Sequence, residues 1–314
     1  MKPLLPTLAP VGMTVPRVPA WARPRQGPVD AADAAFVAGA ALAGLDSLLS
    51  ADLAGRGVWL DRLALGAAAA AVGAGGRPED AAAIRDAVHL TRPGDDPGPA
   101  GRAFAFWRRL VAPATVLDEG TILTAVARLG LPCDPAMTEV ARAALDLAGG
   151  DTPAVAAAAA IAALCGRLRP DAGTVGLWLA DAVLARRLGW PHRVPLMAGA
   201  LLRRGGSGGA RRLRTDGADW VPTCHIAFAR AAATACDLAA DLTRRAAALQ
   251  AVQGLRAKGA PAVVALLMAH DAVNPSAPPA GMTDRAMRRL FERLVALGVV
   301  RELTGRSAFR LYGL

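Results

Sequence analysis

The chain has 314 residues, of which 54% are hydrophobic and only 4% aromatic, and its formal net charge is +10. That length supports a buried core in one or two domains. Abundant alanine, with few alternating β-branched runs, argues against a sheet-based fold and for a mainly α-helical one. Of the 36 basic residues only Lys2 and Lys258 are lysine. GC-rich coding produces the same arginine and alanine excess, so clustering of charge weighs more than its total.

Residues 1–28 carry seven prolines, with Arg17, Arg23 and Arg25 among them. No helix survives that density, and the stretch reads as a disordered or loosely docked arm that Trp21 could anchor. A helical body is expected over 29–253 and a separate C-terminal module over 254–314.

The first helix is expected over Asp30 to Leu53, with Phe36, Ala40, Leu42, Leu45, Leu48 and Leu49 as its apolar stripe. A second follows over Trp59 to Val72. Pro78 opens a third, with Glu79 and Asp80 suited to its N-terminal dipole. Residues 91–101 read as a helix-free connector. Its Asp95 and Asp96 could act as acid and base or hold a metal, but they also have the character of turn formers that bond nearby amides.

Phe104, Phe106 and Trp107 concentrate aromatic bulk on the next helix, beside Arg102, Arg108 and Arg109. Stacking on bases is one reading; a buried aromatic face with snorkelling arginines is the stronger. Further helices are expected over 118–129, 135–147, 153–168 and 174–188. The alanine-rich one at 153–168 is expected to be central, and Trp178 to face the core. A short helix at 195–202 leads into a basic glycine-rich loop, 201–214, with five arginines and no acid. It lacks the phosphate-loop pattern. The longest helix is expected over Thr223 to about Gln253, carrying an Asp241–Arg245 pair. His225 near its start has no nucleophile and carboxylate around it, so an enzyme built on Asp95, Asp96 or His225 is the weakest reading.

Cys133, Cys165, Cys224 and Cys236 lie far apart and show no metal-ligand spacing. Buried, reduced thiols are expected, with no metal and no cofactor, in a cytoplasmic setting. The uncharged apolar run at 154–166 is shorter than a bilayer span, which needs about 20 residues, and no membrane partner is expected.

The clearest shape is the tail. Thr283 should cap a helix with Ala286, Leu290, Leu294 and Leu297 as its stripe, flanked by Met287 and Phe291. Arg285, Arg288, Arg289 and Arg293 should lie outside. Gly298 stops that helix, and a hairpin should follow over Val299–Leu303 and Ala308–Tyr312, turning at 304–306. Residues 283–314 hold seven arginines against three acids. A helix plus hairpin is winged-helix-like. In that geometry the helix enters a DNA major groove while Arg306 and Arg310 flank the backbone. The proline loop at 273–282 stands where a middle helix belongs, which gives a second reading: a packed tail that contacts another protein.

The run at 294–314, LVALGVVRELTGRSAFRLYGL, resembles the C-terminal winged-helix segment of Fic-type proteins. The Fic catalytic motif is absent around His225, so that resemblance implies no nucleotidyl transfer. Over its whole length the chain resembles the domain of unknown function 1403 family, through RPGDDPGPAG at 92–101, DLAADL at 237–242, RLFERL at 289–294, RELTGR at 301–306 and FRLYGL at 309–314. That resemblance implies a helical protein and brings no catalytic residues.

Overall fold

Short polar side chains set where many of the helices begin. The computed structural model describes residues 15–25, 29–92, 94–112, 116–202, 214–252, 259–305 and 309–314. Asp30, Asp80, Asp118, Asp134 and Thr283 each accept the backbone amide three residues on, satisfying a donor that the first helical turn leaves unpaired. The helices they start are α1 (Ala31–Ser50), α3 (Ala81–Leu90), α5 (Glu119–Arg128), α6 (Pro135–Gly149) and α12 (Asp284–Ala296). The others are α2 (Arg56–Ala74), α4 (Gly98–Val111), α7 (Ala154–Leu168), α8 (Gly173–Arg187), α9 (Met197–Leu201), α10 (Trp220–Gln250) and α11 (Ala260–Ala269). Strands β1 (Arg301–Glu302) and β2 (Tyr312–Gly313) form a tiny antiparallel pair. The protein is mainly α, a multi-helix fold with a minimal C-terminal hairpin.

Three boundaries differ from the sequence reading for physical reasons. Asp80 rather than Pro78 starts α3, because a carboxylate can cap the helix and a proline ring cannot. Helix α4 takes up the end of the proline connector, since Pro99 fits a first turn that needs no amide there. Helix α10 begins at Trp220, ahead of Thr223.

The centre belongs to α8, not to the alanine-rich α7. Every residue from Val175 to Ala185 is buried, whereas Ala160 of α7 is exposed. Trp178 and Phe106 meet at 5.3 Å between ring centroids, so the aromatics of α4 fill the core instead of presenting a stacking surface. Alanine lets helices approach closely, and two buried indoles reach carbonyls of neighbouring helices, whereas those of Trp107 and Trp178 find no hydrogen-bond partner among the described residues. Trp59 Nε1 donates to the Ala235 carbonyl and Trp220 Nε1 to the Ala159 carbonyl, both at 2.9 Å.

On α1, Leu42, Leu45, Leu48 and Leu49 are buried as the stripe predicts, but Phe36 is 64% exposed and meets Trp21 at 5.7 Å. Trp21 is itself exposed, so it does not anchor the described arm. Val18 and Ala22 are buried instead, and the Arg23 guanidinium forks onto Asp237 of α10 with two 2.8 Å bonds. Helices α1 and α2 are long and apolar enough, on length and composition alone, to cross a membrane. Each turns a buried face to the core, with Leu45 and Trp59 fully buried.

Candidate functional site

Helix α12 turns one face inward. Met287, Leu290, Phe291 and Leu294 are buried, and Phe291 stacks on Tyr312 at 4.4 Å with an interplanar angle of 12°. The buried face is rotated from the expected stripe. Ala286 is only half-buried, and Leu297 is 51% exposed because it lies at the C-cap, beyond the packed turns. The Thr283 hydroxyl accepts the Ala286 amide at 3.2 Å, and Gly298 ends the helix at φ 71°.

Arg285, Arg288 and Arg289 are exposed, and none of them makes an ion pair or hydrogen bond with a described residue. Arg293 is exposed on the same helix and has a partner within the chain. Arg310 is exposed too, and its field helps to hold the Glu302 carboxyl below its usual range, against the burial that raises it and alongside the hydrogen bonds from Thr304 and Gly305. Arg306 lies outside the described residues, as does nearly all of the basic loop, residues 203–213.

The hairpin strands are shorter than expected, and the turn between them lies partly outside the described residues. Tyr312 and Gly313 are buried. Val273 bridges to Tyr312 on the edge away from β1, exchanging bonds of 2.8 and 3.0 Å. Three short extended segments therefore lie side by side, with β2 in the middle.

A polar junction that sequence reasoning missed seats this tail on the body. Asp271, just after α11, is fully buried. It accepts from Arg62 Nε of α2 and, at 2.5 Å, from Arg85 Nε of α3. Its own amide donates to Asp61 Oδ2 at 3.1 Å, and Arg108 Nε of α4 meets Asp61 Oδ1 at 2.8 Å. Arg62 Nη2 also donates to the Leu314 carbonyl at 3.1 Å. Burial raises the Asp271 carboxyl, but Arg62 and Arg85 outweigh it and hold the group below the usual carboxylate range. Burial lowers His89 of α3, against the pull of Asp271 and Asp61. Both carboxylates are committed to guanidinium or amide donors, so this is a fastening and not a poised acid–base pair. Its sequence signal was visible: Asp61 and Arg62 interrupt an alanine-rich helix, and a charge in such a run needs a partner.

Glycine makes the fastening possible. A Cβ on Gly57 of α2 would lie 2.8 Å from the Ala269 backbone, and one on Gly313 would lie 2.4 Å from the Asp271 carbonyl oxygen.

The other sequence candidates stay apart. Asp96 accepts the Gly98 amide at 3.0 Å and pairs with Arg102, so it is a turn former; Asp95 is exposed. His225 sits on α10 with its pKa lowered by burial, and among the described residues no bond joins it to either aspartate. No group of His, Cys, Asp and Glu among the described residues could hold a metal. Burial pushes the Cys165 thiol up to about 11 and those of Cys224 and Cys236 up to about 12. Cys133, expected to be buried, is exposed.

Asp181, in the middle of α8, is a second missed charge. It accepts the Leu196 amide at 2.9 Å and the Met197 amide at 3.1 Å, fixing the start of α9. Burial pushes its carboxyl well above the usual range, against those two amides. Beside α9 opens a cavity of about 680 Å3, walled by α2, α9, α10 and the approach to α3.

These features define a mainly α-helical protein with a basic amphipathic helix and a small hairpin fastened to one end of its core. The chain belongs to the family described as protein of unknown function (DUF1403), which matches residues 9–314. The match includes the tail, whose likeness to Fic-type proteins receives no support from it. No curated protein matches the chain.

Proposed function

We infer that the tail binds duplex DNA through the outward face of α12, with Arg285, Arg288 and Arg289 at the phosphates. The observation that carries this reading is the exposure of three arginines, on one helix, without acidic partners among the described residues. Guanidinium groups held within one or two turns of each other can contact neighbouring phosphates without a prior ion pair having to break. Arg293, exposed on the same helix, and Arg310 add to the positive charge of the tail in this reading, and Arg306 lies outside the described residues. Regulation of DNA-linked processes follows as the coarser role.

The test is binding of the full chain to mixed-sequence duplex DNA over a range of salt. Each phosphate contact contributes a slope of about −0.9 in log K against log salt. Replacing Arg285, Arg288 and Arg289 by alanine together is expected to reduce the slope by about 2.7. Binding with no salt dependence, or an unchanged slope in the triple variant, overturns the reading.

A second reading, contact with another protein, is favoured by a different observation. Val295, Leu297 and Phe309 of the tail are 39%, 51% and 70% exposed, and strand β2 of the hairpin is buried. This reading expects Leu297→Asp to abolish partner binding in a pull-down while DNA affinity stays unchanged.

A further inference from the structure

The cavity beside α9 is explained by neither reading of the tail. Elsewhere the alanine-rich helices close their gaps with large side chains such as Trp59, Trp178 and Trp220. Here much of the wall is glycine and alanine, including Gly66 and Ala67 of α2 and Gly199 and Ala200 of α9, beside Leu63 and Leu238. A Cβ added at Gly66 or Gly199 would meet no atom within 4 Å. The space is about 680 Å3, within the roughly 300–1,000 Å3 of small-molecule sites. An apolar occupant would gain dispersion contacts that these walls now lack.

The charges around the cavity give the occupant a sign. Its wall includes Arg62, Glu79, Asp80 and Arg230. Glu79 is held by Arg77, and Asp80 caps α3. Arg230 is exposed, with no side-chain partner among the described residues. Arg62 is engaged by Asp271 and the Leu314 carbonyl, which leaves Arg230 as the lining cation without a described side-chain partner. The Thr234 hydroxyl already donates to the Arg230 carbonyl at 2.9 Å, and it adds no spare donor for a neutral polar ligand.

We propose that this cavity binds a small amphipathic carboxylate, its acyl chain against the glycine and alanine faces of α2 and α9 and its carboxylate at Arg230. The chain supplies the apolar area that the walls can cover, and the carboxylate supplies the counter-charge that Arg230 lacks. The inference stands apart from the DNA reading, because neither Arg288 nor Arg289 touches the cavity.

The test is titration calorimetry of the full chain with dodecanoate below its micelle concentration. One saturable site is expected. Dodecanol, which lacks the charge, and the Arg230→Ala protein are each expected to bind about ten-fold more weakly or worse, the size of a lost charge-assisted hydrogen bond. Gly199→Leu is expected to abolish binding by filling the space. Its circular dichroism shows whether the variant is folded, and Arg230→Ala, at an exposed position, keeps the test decisive if it is not. The Arg288→Ala, Arg289→Ala double variant should bind dodecanoate like the parent chain, which separates this result from any outcome with DNA. Absence of a saturable site overturns the proposal. So does equal affinity for dodecanol, or parent-like binding by folded Gly199→Leu.

Discussion

Helices α8 and α12 are close in length and opposite in design. Helix α8 is buried all round from Val175 to Ala185, and its one ionisable group there, Asp181, is held by backbone amides. Helix α12 buries only Met287, Leu290, Phe291 and Leu294 and keeps its arginines in water. The first is the axis on which the body packs. The second is a surface element that depends on its fastening and has side chains left over for a partner. The comparison separates residues whose loss unfolds the protein from residues whose loss changes only what the tail can do.

The largest expected effect lies in α8. Trp178→Ala removes a fully buried indole packed on Phe106, and an aromatic truncation of that kind costs about 3–5 kcal/mol. Because α8 touches much of the body, urea unfolding should show the loss in a single global transition. Leu290→Ala on α12 is expected to cost about 2–5 kcal/mol, but locally. Limited proteolysis should open the tail of that variant while the body fragment keeps its helical circular dichroism. A global loss from Leu290→Ala equal to that from Trp178→Ala would erase the distinction between the two helices.

The unequal legibility of the two helices has the same cause. In α12, bulky apolar residues alternate with charges at helical spacing, so one face stands out, and Thr283 marks the start. Even there only Leu290 and Leu294 of the expected stripe are buried; the flanking Met287 and Phe291 complete the inward face in place of Ala286 and Leu297. In α8 every position from Val175 to Ala185 except Asp181 is apolar or small, and no period tells a central helix from a peripheral one; the alanine run of α7 points to the wrong helix. The junction was hidden for another reason. Asp61 and Asp271 are 210 positions apart, and only the fold brings them together. Their presence inside apolar stretches was readable as a demand for partners, but the partners were not. The cavity is an absence of side chains shared among three helices, which no single stretch can announce.

Acid should weaken the tail before the body. The folded pKa of Asp271 lies below the ordinary carboxylate value. The stabilisation is therefore fully present above that value, about 3.9, and fades as pH falls through it toward the folded pKa. Hydrogen exchange at the Val273 and Tyr312 amides, which bond each other's carbonyls, should lose protection in that range after correction for intrinsic rates. Asp181 has the opposite sign. Its folded pKa is raised, so the parent chain holds that proton more tightly when folded and loses stability as pH rises above the ordinary carboxylate value. Asp181→Asn keeps an acceptor for the Leu196 and Met197 amides without a buried charge. It should gain on the parent as pH rises, whereas Asp181→Ala leaves two buried amides unpaired and should cost about 1–3 kcal/mol. Parallel pH profiles for the parent and Asp181→Asn would mean that the carboxyl is not the group responsible.

The smallest effect on folding should be the largest on binding. Arg288→Ala with Arg289→Ala removes two side chains that make no ion pair with described residues and cover none of the buried face. The urea midpoint should stay where it is. If α12 meets phosphates, the same double variant should reduce the salt slope of DNA binding by about 1.8, two contacts at about 0.9 each. A shifted midpoint would show these arginines fastening the tail as Arg62 and Arg85 do, and α12 would then be a second structural helix like α8. An unshifted midpoint with an unchanged slope would leave the apolar residues Leu297 and Phe309 as the part of the tail that a partner reads.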